Sequence, residues 1–141
     1  MPLRNENNDV DSGETITDSG GSADVVGIVT STDFANLPNA SLDDIEQIRF
    51  AGANQTGTFT GAQLTGETLL LTETVAGTSN LVINVGSGTT VTFANMTAST
   101  FTSGSDTITI NASGTSNVTG PDIATTYNGG TGGDTLIGGT E

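Results

Sequence analysis

The segment 129–141 constrains the fold of this 141-residue chain more than any other stretch. It holds one complete copy of the nonapeptide G-G-x-G-x-D-x-U-x, where U is a large aliphatic residue, and Gly138-Gly139 begins a second copy. Glycine permits positive φ angles and close approach of neighbouring backbones. Such a turn directs several carbonyl oxygens to one point, where Asp134 adds a carboxylate, and Ca²⁺ takes roughly six to eight oxygen ligands. Leu136 would then begin a short strand with its side chain in a core. The alternative is a flexible Gly-rich tail without a metal.

The remaining composition lacks the large side chains of an ordinary globular core. The chain has 20 Gly, 5 Phe, 1 Tyr and no Trp. At this length one domain is expected, and thin strands with Val, Ile and Leu pointing inward suit the composition. Disorder is the competing interpretation, but runs of Val, Ile, Leu and Thr argue against it from residue 24 onward. We therefore divide the chain into an acidic segment, 1–23, which is either flexible or a degenerate calcium loop, and a β-domain, 24–141.

Short β-branched runs with alternating side chains recur along the β-domain and predict strands. They are Val25–Val29, Thr58–Thr60, Thr68–Thr72, Leu81–Val85, Thr89–Phe93, Thr107–Ile110 and Thr135–Ile137. Hairpin dipeptides are nearly absent, since Asn128-Gly129 is the only Asn-Gly pair. The pattern predicts an all-β fold, a right-handed parallel β-solenoid of the β-roll or β-helix kind, with a sandwich of hairpins as the alternative. Segment 41–47 fits a short helix with Ser41 as its N-cap.

Charge and residue types exclude several classes of function. The net charge is −14, and Arg4 and Arg49 are the only basic residues. This excludes nucleic acid as a partner, because phosphate binding needs cationic side chains, and no apolar segment is long enough for membrane insertion. His, Cys and Lys are absent, so the usual nucleophilic triads cannot form and an enzyme is not expected. Mutual repulsion of the carboxylates predicts that divalent cations stabilise the fold.

Weaker relatives of the terminal repeat occur elsewhere and give further candidate calcium ligands. Segment 103–109 matches the G-x-D-x-U half and contains Asp106. Segment 12–17 matches it with Glu14 in the Asp position, and segment 18–26 contains Asp18 before its paired glycines and Asp24 after them. Chance matching in a chain rich in Gly, Ser, Thr and Asp is the competing explanation for each.

The terminal repeat, with the weaker segments 104–108 and 20–26, resembles the hemolysin-type calcium-binding (RTX) family. The middle of the chain is similar to repeats of bacterial S-layer proteins and RTX adhesins, through Leu42–Glu46 and Gly57–Leu64. The resemblance implies that Asp134 supplies a carboxylate to calcium, and that Gly130 and Gly132 supply carbonyl oxygens. It also implies folding outside the cell, where calcium is plentiful.

We therefore expect a structural, calcium-stabilised module that is secreted or lies on a bacterial cell surface. Unpaired strand edges at the ends of a solenoid invite stacking, so a homo-oligomer or polymer formed through those ends is expected. An ice- or glycan-binding module is one alternative. It would need Thr-x-Thr pairs in one plane, and these pairs begin at Thr58, Thr72, Thr90, Thr100 and Thr107. An accessory domain of a secreted hydrolase is the other alternative.

Overall fold

A computed structural model describes residues 3–5, 24–102 and 105–139. The described chain is nearly all-β and forms a parallel β-solenoid, which confirms the predicted fold class. The strands are β1 (Leu3–Asn5), β2 (Val25–Ile28), β3 (Thr32–Asp33), β4 (Gln47–Phe50), β5 (Thr56–Thr60), β6 (Leu70–Glu73), β7 (Asn80–Val85), β8 (Thr90–Thr92), β9 (Thr97–Ala98), β10 (Thr107–Ala112), β11 (Asn117–Thr119), β12 (Thr125–Asn128) and β13 (Thr135–Ile137). A short α-helix, α1, covers Gly61–Leu64, and a 3₁₀ turn covers Asn39–Ser41.

The strands stack into three sheets, which we call faces A, B and C. Face A has the order β1-β2-β4-β6-β9, face B has β3-β5-β7-β10-β12, and face C has β8-β11-β13. Every pairing is parallel. From β2 onward the chain passes from face A to face B in successive coils, and from face B to face C once β8 has begun the third sheet. Strands distant in sequence thereby become neighbours.

The length of a coil changes at the C-terminal end. Stacked residues lie 22 positions apart at Asp24 and Glu46, and 27 apart at Ser79 and Asp106. In the last coil the separation falls to 18, between Ser116 and Asp134. This coil, which we call the terminal coil, comprises β12 and β13, and segment 120–124 connects β11 directly to β12 without a strand on face A. The cross-section therefore changes from three-sided to two-sided.

The core follows from the alternation of side chains along each strand. On face B, Phe59 pairs with Ile83 and Ile83 with Ile110, and each is at most 1% exposed. Phe34 stacks on Phe59 with ring centroids 4.7 Å apart. Burying one such side chain contributes about 1.5–3 kcal/mol, so columns of apolar residues stabilise the stack without a wide globular interior.

The outer side of face B carries a ladder of asparagines. The Asn111 side-chain amide donates to Asn84 Oδ1 at 3.3 Å, and the Asn128 amide donates to Asn111 Oδ1 at 2.8 Å. Because each amide both donates and accepts, identical residues on successive strands satisfy one another and fix the register of the coils.

The short helix expected at 41–47 does not form. A 3₁₀ turn ends at Ser41, Asp44 has a left-handed φ of 65°, and Gln47 already begins β4. A left-handed residue interrupts a right-handed helix, and β4 is held between β2 and β6. Helix α1 forms later in the chain, where Thr60 and Gln63 make a reciprocal capping box.

Candidate functional site

The terminal turn is packed directly onto the turn of the preceding coil. A Cβ atom added at Gly130 would lie 2.3 Å from the Gly114 nitrogen, and one added at Gly132 would lie 2.5 Å from Thr115 Oγ1. Gly132 also has a φ of 127°, which side chains rarely adopt. The glycines of the repeat therefore permit backbone-to-backbone stacking of adjacent turns.

Asp134 lies at the end of this turn, immediately before β13. Its Oδ1 accepts a hydrogen bond from the Ser116 backbone N–H at 2.9 Å, across one coil. A Cβ atom at Gly129 would lie 3.1 Å from Asp134 Oδ2, so that oxygen faces the turn. Gly129 and Asp134, both in the terminal repeat, thus lie close together. The carboxylate has a structural partner, and its oxygens retain lone pairs for a further ligand.

Asp106 repeats this arrangement at a different corner. Its Oδ1 accepts the Ser79 N–H at 2.8 Å and its Oδ2 accepts the Thr102 N–H at 2.5 Å. The residue is only 6% exposed. Both oxygens therefore serve backbone amides, and Asp106 acts as a buried cap that joins two coils.

The three described aspartates among the predicted ligands lie on different faces. Asp24 precedes a strand of face A, Asp106 a strand of face B, and Asp134 a strand of face C. The Asp24 N–H donates to Glu46 Oε2 at 2.7 Å. Glu14 and Asp18 lie outside the described residues. In the described ranges, no group of three or more His, Cys, Asp or Glu side chains is placed to hold a metal ion.

One acidic group is perturbed by its neighbours. Burial raises the pKa of Glu67 above its ordinary value, and the charges of Asp43 and Asp44 raise it further. These residues precede β4 and β6, which pair on face A. The coil geometry therefore stacks carboxylates of successive turns, at an energetic cost when all are ionised.

The apolar end of the solenoid lies on face C. Val91, Val118 and Leu136 occupy one column in register. Val91 is 5% exposed and Val118 is 1% exposed, whereas Leu136 is 40% exposed and its neighbour Ile137 is 55% exposed. Among the residues that the structure describes, no strand covers the outer edge of β13. The column of core residues therefore ends at an open position.

Face B ends differently. Thr125 and Tyr127 occupy the inner positions that Ile108 and Ile110 fill one strand earlier. Together with Pro121, Ile123 and the Gly138-Gly139 pair, they line a cavity of about 280 Å³ at this end of the stack. The last inward-facing residues on face B are therefore the polar Thr125 and Tyr127, whereas the last one on face C is the apolar Leu136.

The outer side of face B carries a single charge in its described strands, that of Asp33 in β3, which pairs with Thr58. The outward positions of β5, β7, β10 and β12 in its three columns are Thr56, Thr58, Thr60, Asn80, Val82, Asn84, Thr107, Thr109, Asn111, Thr126 and Asn128. The pairs beginning at Thr58 and Thr107 share this plane, whereas the pair at Thr90 lies on face C. A groove of about 650 Å³ runs beside this surface, between Asn84 and Thr89.

Sequence reasoning missed the hydrogen bonds between an aspartate and a serine of the preceding coil, which join adjacent coils at these positions. Ser79-Asn80-Leu81 stacks beneath Asp106-Thr107-Ile108, and Ser116-Asn117-Val118 beneath Asp134-Thr135-Leu136. In each case the Asp carboxylate accepts the Ser N–H. Recurrence of Ser-Asn-aliphatic followed by Asp-Thr-aliphatic was the available signal.

No helix in the described part of the chain is long and apolar enough to cross a membrane. No protein-family model matches the chain, and no curated protein or solved structure matches it either.

Proposed function

We propose that this chain is a structural module that self-associates through its terminal coil. The observation that supports this most is the exposure of Leu136 at the end of an otherwise buried column. Exposed apolar groups beside an unpaired strand edge favour association with another chain.

The backbone of β13 adds hydrogen-bonding capacity to the apolar surface. The Thr135 N–H donates to Ser116 O, and Ile137 O accepts the Gly120 N–H, so both residues face β11. Because backbone groups alternate in direction along a strand, the N–H and C=O of Leu136 point to the open edge. A partner strand would satisfy both groups while covering the Leu136 side chain.

We further propose that calcium stabilises the terminal coil and that the module works outside the cell. Asp134 would supply the carboxylate, and the Gly130 and Gly132 carbonyls would supply further oxygens, the ligand types that Ca²⁺ takes. The net charge of −14 and the absence of cysteine agree with a secreted or surface-exposed module. Calcium would also relieve repulsion among the carboxylates.

Sedimentation velocity over a concentration series tests the self-association. The wild type is expected to show larger species as concentration rises, whereas Leu136→Asp stays monomeric. Leu70→Asp is the matched control, because Leu70 is similarly exposed, at 36%, but lies within face A. A wild type that remains monomeric at every concentration would refute the proposal.

Thermal unfolding with calcium or EGTA tests the calcium proposal separately. Calcium is expected to raise the Tm of the wild type, and Asp134→Asn should lose most of this gain while keeping an oxygen that accepts the Ser116 N–H. Asp122→Asn, at an exposed position in the same coil, should keep the gain. An equal response of the two variants would remove Asp134 from the proposed site.

A second candidate function is binding to a neutral, hydroxyl-rich surface such as ice or a glycan. The Thr and Asn residues that recur on the outer side of face B favour it. Thermal hysteresis of the wild type, lost in Thr109→Lys, would support ice binding. Val82 interrupts the central column of hydroxyls, so we place this function second.

A further inference from the structure

We propose that the partner of the terminal coil is the same coil of a second copy, joined tail to tail about a two-fold axis through Leu136. This inference rests on the self-association proposed above. It goes further by fixing the partner, the symmetry and the register of the contact.

The two ends of the described solenoid do not match one another. The N-terminal end presents strands of faces A and B, whereas the terminal coil presents faces B and C. The N-terminal edge of face C is already occupied, because the Gly66 N–H donates to Thr92 O and Thr65 Oγ1 accepts the Thr92 N–H. A head-to-tail stack could therefore continue only face B, and would leave Leu136 without a strand. Matching cross-sections therefore require contact between two identical ends, and only the pairing of two terminal coils covers Leu136.

The distribution of charge favours the same pairing. Of the 16 acidic residues, only Asp122, Asp134 and Glu141 follow Gly120, whereas most lie at or before Glu46. Like charges repel over about a Debye length. Contact between two N-terminal ends would therefore bring more carboxylates together than tail-to-tail contact does.

Strand β13 is complementary to itself in the antiparallel sense. With Leu136 opposite Leu136 of the second copy, the outward-facing N–H and C=O of each leucine exchange two hydrogen bonds, as in a hydrogen-bonded antiparallel pair. Thr135 then lies opposite Ile137 of the second copy. Both leucine side chains fall on the core side of the joined face C, and the two-fold axis closes the assembly as a dimer. Face B, which ends on Thr125 and Tyr127, offers a less apolar surface.

Stoichiometry gives the first test. We expect sedimentation equilibrium over roughly 10 µM to 1 mM to fit a monomer–dimer equilibrium without larger species, since so small an interface is of the weak, transient class. Leu136→Asp should raise the dimer Kd at least about tenfold, equivalent to about 1.4 kcal/mol. Filaments or open-ended polymers would overturn the tail-to-tail arrangement while leaving self-association intact. A strictly monomeric protein would overturn both.

Disulfide trapping tests the register, and the chain has no native cysteine to interfere. Opposed residues of a hydrogen-bonded antiparallel pair have Cα atoms about 5.5 Å apart, which a disulfide can span. Leu136→Cys should therefore form a disulfide-linked dimer under mild oxidation, and the exposed control Asn95→Cys should not. A mixture of Thr135→Cys and Ile137→Cys should yield the mixed dimer in preference to either homodimer. Equal cross-linking of Asn95→Cys, or failure of the mixed pair in a protein that dimerises, would overturn the register.

Discussion

The carboxylate of Asp106 joins two coils by accepting the Ser79 backbone N–H at 2.8 Å, and the two residues lie 27 positions apart. The same side chain also accepts the Thr102 N–H, so that one buried carboxylate fixes both the stacking of coils and the loop that precedes β10. A residue that resembles a metal ligand in the sequence thereby serves as a cap.

Replacing Asp106 should destabilise the solenoid strongly. Asp106→Ala leaves two amide donors without their acceptor, which costs about 2–5 kcal/mol. Asp106→Asn keeps one acceptor oxygen and should cost roughly half as much. Urea denaturation measures both, with the exposed Asp122→Asn as the control, expected to stay within about 0.5 kcal/mol of the wild type. If Asp106→Ala unfolded at the wild-type midpoint, the capping role would be excluded.

The glycines of the terminal turn should differ sharply in their tolerance of alanine. Gly130→Ala places a methyl group 2.3 Å from the Gly114 nitrogen, and relieving such overpacking costs about 1–3 kcal/mol. At Gly133 an added Cβ meets nothing within 4 Å, and its φ is not positive. Gly133→Ala should therefore change stability by less than about 0.5 kcal/mol. Thermal unfolding of the pair checks this, and equal losses would contradict the stacking of the two turns.

Glu67 should make the protein less stable as the pH rises. Its folded-state pKa lies above the ordinary value of 4.5, because of burial and the charges of Asp43 and Asp44. Stability is therefore fullest below the unfolded-state pKa and falls as the pH rises through the raised folded-state pKa. Since Glu67 is partly exposed, Glu67→Gln should stabilise by only a few tenths of a kcal/mol at pH 7 (about 0.3). Urea midpoints of the wild type and Glu67→Gln from pH 3 to 7 measure this. A higher midpoint of Glu67→Gln that persists below about pH 4 would show that ionisation of Glu67 is not the cause.

The solenoid could be predicted from the sequence because several strands carry their own signal. Strands β7, β10 and β13 are β-branched runs with alternating side chains, and each forms close to its expected bounds. Strand β9 has two residues and strand β11 has three, and both lie within polar stretches of the sequence. Such short strands are decided by the neighbouring coil and not by local propensity, so the sequence predicted neither.

The candidate site was predictable only within a single turn. Gly129 and Asp134 are close in sequence and remain close in the fold. Asp24 and Asp106 fall on other corners because coil lengths vary between 22 and 27 residues before dropping to 18. The spacing of residues within one motif carries no information about the length of a coil. The change from a three-sided to a two-sided coil was not predicted either.

Hydrogen exchange at the Leu136 amide, followed by NMR as a function of protein concentration, tests the central claim most directly. Its N–H points to the open edge of β13, so it should exchange freely in dilute solution and become protected as the protein associates. The exposed Gly133 amide, outside the strand, should not change in parallel. Protection of Leu136 that rises with concentration is the predicted result, and protection that is the same at all concentrations would contradict self-association through the terminal coil.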